Sequence, residues 1–269
     1  MRWDRDCSTT HSSSWWTGVP LRRLSATIVD ASSAVDGWVW SVAGGEWDDA
    51  GCASLLDCDE TSYMDGLPQS HRRAFLRNHA MMRVLLSAQW VTHPRELALT
   101  RDSGGKPRFA DPTDCHFNLS HSDSFGALGV SRVPVGIDIE CARHIDYRRL
   151  AHRLFPDEAR QLPEQSGAVA DNLAFARLWT AKESYLKALG CGLRKPLNSF
   201  TLHIDSRGRA HGLACPAPES MGAGCKFFSM DGDADCGYVG TLAVLQPDNP
   251  SLASATPEQG TGTDPLVNA

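Results

Sequence analysis

Val135-Gly136-Ile137-Asp138-Ile139-Glu140 sets two carboxylates two residues apart inside an apolar run. In an extended strand, alternation sends Asp138 and Glu140 to one face, roughly 6.5–7 Å apart along the backbone. Ile137 and Ile139 then point the other way, into a core. Two carboxylates on one face repel each other unless a cation stands between them, and this separation lets both reach one hard ion. A solvated edge strand carries the same pattern, and taken alone the pair reads as that. A third carboxylate lies in Trp179-Thr180-Ala181-Lys182-Glu183-Ser184-Tyr185-Leu186-Lys187. Helical spacing gathers Ala176, Thr180, Glu183 and Lys187 on one face, with Leu178, Trp179 and Leu186 as a buried stripe. Glu183 and Lys187 are then either an ordinary (i, i+4) ion pair, worth about a few tenths of a kcal/mol, or an oxygen ligand and a phosphate contact.

Two further stretches carry polar groups at turns. Phe117-Asn118-Leu119-Ser120-His121-Ser122 reads as the end of a strand, offering hydroxyls and an imidazole where a phosphate could sit. Gly104-Gly105-Lys106-Pro107 reads as a loop with one exposed lysine. Each stretch alone is equally well an ordinary structural turn.

The elements that position these residues come in two similar rounds. In the first, Leu24–Asp30 and Trp38–Ala43 alternate like strands, and His71–Trp90 has helical periodicity through Phe75, Leu76, Met82, Leu85 and Leu86. Leu97–Thr100 and Gly126–Val130 follow as strands. In the second, Val133–Ile139 is a strand, Tyr147–Phe155 and Asn172–Leu189 are helices, and Phe200–Ile204, Lys226–Met230 and Tyr238–Leu245 are strands. Gly190 stands where a glycine just past a helix end belongs. A β-rich unit with one dominant helix, met twice, predicts an α+β pseudo-dimer of two halves, 24–132 and 133–246, joined near Arg132–Pro134. A loose leader over 1–23 and a Pro-, Ser- and Gly-rich tail over 247–269 flank them.

Composition narrows the class. The chain has 269 residues, 42% of them apolar, enough for a substantial core. Its formal charge is −6 with no block of five like charges, which argues against wholesale binding to nucleic acid or an anionic membrane. Nine cysteines, an odd number without a CxxC pair, fit free thiols in a reducing cytosol. The N-terminus has no apolar signal segment, and no run approaches the ~20 apolar residues of a membrane span. The expectation is a soluble cytoplasmic protein.

Taken together, in this order and spacing, GGKP at 104–107, FNLSHS at 117–122, VGIDIE at 135–140 and WTAKESYLK at 179–187 resemble the Sfp-type 4′-phosphopantetheinyl transferases. The resemblance runs from about Leu24 to Leu245. It implies two α/β halves with coenzyme A and Mg²⁺ in the cleft between them, acting as a monomer on an apo acyl or peptidyl carrier protein. It implies that Asp138, Glu140 and Glu183 hold the metal, and that Lys187 and His121 contact the pyrophosphate. Ser120, Lys106 and Pro107 would edge the 3′-phosphate and base. Arg73 resembles the family's arginine for that phosphate, with Arg72 the alternative one position away.

The implied reaction is attack of a carrier serine on the β-phosphate, expelling 3′,5′-ADP, with Glu183 or a metal-bound water as base. Polyketide or non-ribosomal peptide assembly lines are the expected clients. One departure stands out: Asp59–Gly66, where the family usually carries basic residues, has none before Arg72. A non-catalytic carrier-binding relative and a Mg²⁺-dependent pyrophosphate hydrolase are the competing readings.

Overall fold

The computed structural model describes residues 3–4, 16–17, 21–27, 34–43, 46–90, 92–101, 106–111, 113–141, 151, 153–162, 168–191, 195–215, 224–232 and 237–246. Most of the expected leader, all of the tail, Gly104, Gly105 and most of the helix expected over Tyr147–Phe155 lie outside the described residues. In chain order the strands are β1 (Trp3–Asp4), β2 (Trp16–Thr17), β3 (Leu21–Thr27), β4 (Ala34–Ser41), β5 (Glu46–Trp47), β6 (Leu99–Arg101), β7 (Pro107–Phe109), β8 (His116–Ser122), β9 (Phe125–Ser131), β10 (Val135–Cys141), β11 (Thr201–Ile204), β12 (Ala210–Cys215), β13 (Cys225–Ser229) and β14 (Tyr238–Leu245). The helices are α1 (Asp49–Leu55), α2 (Cys58–Asp65), α3 (Gln69–Trp90), α4 (Pro156–Ala159) and α5 (Ala168–Ala188).

Two antiparallel sheets form the body. One runs β1-β3-β4-β9-β8 and the other β10-β14-β13, with three two-stranded ribbons around them. Alternation decides how they stack. Val35 and Val39 of β4 and Ala127 of β9 meet Val135, Ile137 and Ile139 of β10 and Leu242 and Val244 of β14 in one buried cluster. The opposite face of the first sheet, with Trp38, Trp40, Phe117 and Leu128, takes Met81, Met82, Leu85 and Leu86 of α3. On the far side of the second sheet, Phe175, Leu178, Ala181 and Tyr185 of α5 pack with Phe200, Leu202, Cys225 and Ala243. The order of layers is therefore helix, sheet, sheet, helix. Because β10 is covered on both faces, it reads as a near-continuous apolar run interrupted only where α5 lies over it.

The two long helices and most strands stand where periodicity predicts them, within a few residues at their ends. Helices α1 and α2 are additions. Asp57 caps α2 by accepting from the Glu60 amide while the Glu60 carboxylate accepts from the Asp57 amide, a reciprocal pair that closes both orphan donors. The stretch that lacks the family's usual basic residues is thus mostly helix, and its one buried side chain is Glu60. The end of α5 also follows backbone chemistry: Gly190 has φ +73, its amide donates to the Lys187 carbonyl, and the Cys191 amide donates to the Leu186 carbonyl.

Candidate active site

The site begins with a close approach of backbones. Ile137 and Ile139 face the other sheet, so Gly136, Asp138 and Glu140 face α5. A Cβ on Gly136 would stand 2.0 Å from the Ser184 carbonyl oxygen and 2.4 Å from the Ala188 amide nitrogen. Only glycine lets the helix settle so near the strand. At that distance Lys187 reaches across, its Nζ 2.5 Å from Asp138 Oδ1 and 3.2 Å from Ser120 Oγ. One turn back, Glu183 Oε2 lies 3.6 Å from the same ammonium. The Glu183–Lys187 pair is therefore part of a tertiary cluster with Asp138, more than a local helix contact.

Strand β8 supplies the other wall. Its side chains alternate: Phe117 and Leu119 belong to the α3 side, whereas Asn118, Ser120 and Ser122 turn towards β10. Ser120 Oγ donates to Asp138 Oδ1 at 2.9 Å, and Ser122 Oγ donates to Glu140 Oε2 at 2.7 Å. Asn118 Oδ1 accepts from the Ile137 amide at 2.8 Å, and Ser122 Oγ accepts from the Cys141 amide at 3.2 Å. Asn118, Ser120 and Ser122 thus each pair with β10 through a side chain. Ser120 and Glu140 are brought to the cluster by that alternation.

The electrostatics are those of negative charge in excess. Burial raises the Asp138 carboxyl, with the Lys187 ammonium opposing. Burial, then the Asp138 charge, pushes Glu183 up to about 7. Lys187 is held above its ordinary value: burial opposes its charge, but the carboxylates of Asp138 and Glu183 outweigh it. Asp138 Oδ2 is buried without a hydrogen-bond partner. Among the described residues no three His, Cys, Asp or Glu side chains are gathered closely enough to close round an ion as they stand, and the Lys187 ammonium occupies the space between two of them. The donor set nevertheless fits a hard divalent cation: carboxylate oxygens from two elements, one of them unsatisfied, with an unneutralised charge.

The other expected residues divide. His121 faces away from Ser120 along β8, yet desolvation of its ring, then the positive fields of His79 and Lys187, lower its pKa. Alternation puts it on the α3 face of β8 with Phe117 and Leu119. Pro107 lines a cavity of about 300 Å³ with Asp57, Asp59, Glu60, His79, Leu99, Thr100 and Arg101. Lys106 is engaged by main-chain carbonyls of Val135 and Lys187, at 2.9 and 2.8 Å. Arg72 donates to the carbonyls of Leu67 and Asp65, closing the turn before α3. Arg73 pairs with Asp49 at 3.1 Å, is 72% exposed, and lies about 200° round α3 from Phe75, the residue stacked on His79. The structure does not bring Arg72 or Arg73 to the cluster.

Sequence reasoning missed His79 and Lys182. His79 Nδ1 lies 2.8 Å from Glu60 Oε1 and its ring stacks on Phe75. Its place eight residues after His71, on the helix face that carries Phe75, was the available signal. Lys182 is buried beside Glu183, 2.6 Å from Glu158 and bonded to the carbonyls of Leu197 and Phe200.

Residues 134–220 match the model of the 4′-phosphopantetheinyl transferase superfamily, and they contain Asp138, Glu140, Glu183 and Lys187. The phosphopantetheinyl transferase match covers roughly a third of the chain, and Lys106, Pro107, Ser120 and His121 lie before it. Among curated proteins, the chain is 42% identical over 113 residues to the 4′-phosphopantetheinyl transferase gsp of Aneurinibacillus migulanus, covering 42% of this chain and 46% of that one. It is 32% identical over 139 residues to the 4′-phosphopantetheinyl transferase psf-1 of Bacillus pumilus, covering 51% and 59%. With the 4′-phosphopantetheinyl transferase Sfp of Bacillus subtilis (strain 168) it shares 29% identity over 177 residues, 65% of this chain and 75% of that one. The chain thus spans about half the length of the first two. Among the described residues no helix is long and apolar enough to cross a membrane.

Proposed function

We propose that the protein transfers the 4′-phosphopantetheine arm of coenzyme A to a serine of an apo carrier protein, releasing 3′,5′-ADP. The observation that carries this reading is the meeting of Asp138, Glu183, Lys187 and Ser120 at one point, from a strand, a helix and a second strand. The relatives named as 4′-phosphopantetheinyl transferases support it. The two halves, 24–132 and 133–246, would form a pseudo-dimer with the substrate in the cleft between them. The helix-sheet-sheet-helix order agrees with that arrangement.

Asp138, Glu183 and Glu140 would hold Mg²⁺, which when bound would supply charge neutralisation at the pyrophosphate. The protein's own residues do the rest. Lys187, held protonated by the carboxylates, would turn its ammonium to the leaving phosphate, and His121 would donate from the α3 side. Ser120 fixes the Asp138 carboxylate so that it does not swing with the lysine. Glu183, one turn from Lys187 and beside Asp138, would take the proton of the incoming serine hydroxyl. The cavity lined by Pro107, Leu99, Arg101 and His79 would receive the base of the nucleotide, with the carboxylates of Asp57, Asp59 and Glu60 in its wall disfavouring the 3′-phosphate there. A carrier from polyketide or non-ribosomal peptide synthesis is the proposed partner, and the cytoplasm its place of action.

The test is intact-mass analysis of apo acyl and apo peptidyl carrier proteins incubated with the protein, coenzyme A and Mg²⁺. A mass gain equal to the phosphopantetheine arm supports the reading. Cleavage of coenzyme A without that gain would mean hydrolysis instead. Neither product, with the carrier retained on the protein, would leave a binding relative.

A further inference from the structure

Lys106 lies outside the family match, in the short segment before β7, and its ammonium meets the two elements that carry the site. It donates to the Val135 carbonyl at 2.9 Å and to the Lys187 carbonyl at 2.8 Å. Val135 opens β10, three residues before Asp138. Lys187 stands in the last turn of α5, whose carbonyls lack partners within the helix and carry the negative end of its dipole. The Lys187 carbonyl already accepts from the Gly190 amide at 3.2 Å, in the glycine-ended motif that closes the helix. Lys106 takes its remaining acceptor capacity.

At Gly136, adjacent to Val135, α5 touches β10 backbone to backbone. The contact at Gly136 sets how near the helix can come, but a glycine contact only allows the approach and does not hold it. Two charge-assisted hydrogen bonds from a third element, one to each partner, do hold it. They act at the ends of short backbone spans: three residues to Asp138, and none to Lys187, whose own carbonyl is bound.

We propose that Lys106 is a positioning residue: it staples the start of β10 to the last turn of α5 and so sets the separation between Asp138 and the Glu183–Lys187 pair, its ammonium facing main-chain carbonyls in preference to a ligand phosphate. The part of this inference that concerns turnover rests on the transferase reading above. The staple itself does not.

The experiment compares Lys106→Met and Lys106→Arg with the parental full-length chain. Transfer is measured with coenzyme A varied, and amide hydrogen exchange at Gly190 and Cys191 is followed without ligand. Lys106→Met should lower kcat about tenfold or more while KM for coenzyme A stays within about twofold. The same variant should speed exchange at Gly190 and Cys191 by about tenfold. Lys106→Arg, which keeps two donors on a long stem, should restore most of both. A KM increase of about tenfold with unchanged kcat and unchanged exchange would overturn the proposal, because the ammonium would then be a ligand contact. Unchanged values of all three would overturn it too. Should the parental protein modify no carrier, the transferase reading falls, and exchange together with Mn²⁺ titration of the three proteins still decides the staple. Weaker Mn²⁺ binding and faster exchange in Lys106→Met, recovered in Lys106→Arg, support it; equality across the three sinks it. If Lys106→Met fails to fold, Lys106→Gln, whose shorter side chain carries a neutral amide donor, should exchange faster than the parental chain at Gly190, and parental exchange there would sink the staple.

Discussion

The Ser184 carbonyl oxygen lies where a Cβ on Gly136 would be only 2.0 Å away, so the helix and the strand touch backbone to backbone. The neighbour is main chain, which cannot rotate aside. Gly136→Ala must therefore push α5 off β10 by an ångström or so, and Lys187 would lose its reach to Asp138. We expect transfer to fall about a hundredfold, since a displacement of that size costs on this order, with a lowered but cooperative thermal melt. Parental turnover in a folded Gly136→Ala protein would show that the approach is not needed.

Asp138 is the point where Ser120, Lys187 and the proposed ion converge. Asp138→Asn keeps its size and removes its charge, so the fold should persist while divalent-ion binding and transfer both drop by at least about a hundredfold. Calorimetric Mn²⁺ titration beside the carrier mass assay checks both quantities. Transfer that continues at the parental rate in excess EDTA would remove the metal from the scheme.

Glu183 gives a pH dependence of definite sign. Its pKa is about 7 in the folded chain against 4.5 for the ordinary group, with burial the first cause and the Asp138 charge the second. Between those values the folded state keeps a proton that the unfolded chain has released. Stability contributed by this group is therefore lost as pH rises through that window, and levels above it. Glu183→Gln abolishes the effect. In EDTA its melting temperature should gain on the parental protein by several degrees between about pH 5 and pH 8. Parallel curves across that range would contradict the burial of an uncompensated carboxylate.

Arg73, expected at the 3′-phosphate, and His121, expected at the pyrophosphate, should part company. Arg73 is committed to Asp49 on the flank of α3, whereas His121 stands on the α3 face of β8 within the field of Lys187. Arg73→Ala should leave affinity for both coenzyme A and 3′-dephospho-coenzyme A within about twofold. His121→Ala should weaken both ligands several-fold, because both carry the pyrophosphate. Calorimetry on the four combinations decides, and a selective loss in Arg73→Ala would return that residue to the site.

Lys182 and Glu158 form a buried pair whose removal from one side leaves an unpaired charge. Lys182→Met should cost about 3–5 kcal/mol in chemical denaturation. The double variant Lys182→Met/Glu158→Gln should recover part of that loss. A single variant as stable as the parent would mean that water reaches Glu158.

How much of this was legible follows from what each residue meets. The long helices were readable because Met82, Leu85 and Leu86, or Leu178 and Leu186, repeat at helical spacing and are in fact buried. Asp138 and Glu140 were readable because strand alternation fixes their face before any tertiary contact forms. Helix α2 was not, since its only buried side chain is a glutamate, and apolar periodicity is silent there; the Asp57-x-x-Glu60 spacing was the signal for it. Lys106 and Lys182 were opaque for a different reason. Their partners include main-chain carbonyls, which every residue carries, so no residue type in the sequence marks them.

The seam between β8 and β10 is made by Asn118, Ser120 and Ser122 reaching across. Alternation alone would tolerate a slip of two residues, which preserves inward and outward faces. Such a slip would seat Glu140 opposite Ser120 and take that hydroxyl away from Asp138. Asn118 adds a third tie to the same register, its carboxamide oxygen accepting from the Ile137 amide. The three polar side chains together are thus a register key: they choose which of two acidic residues meets which hydroxyl.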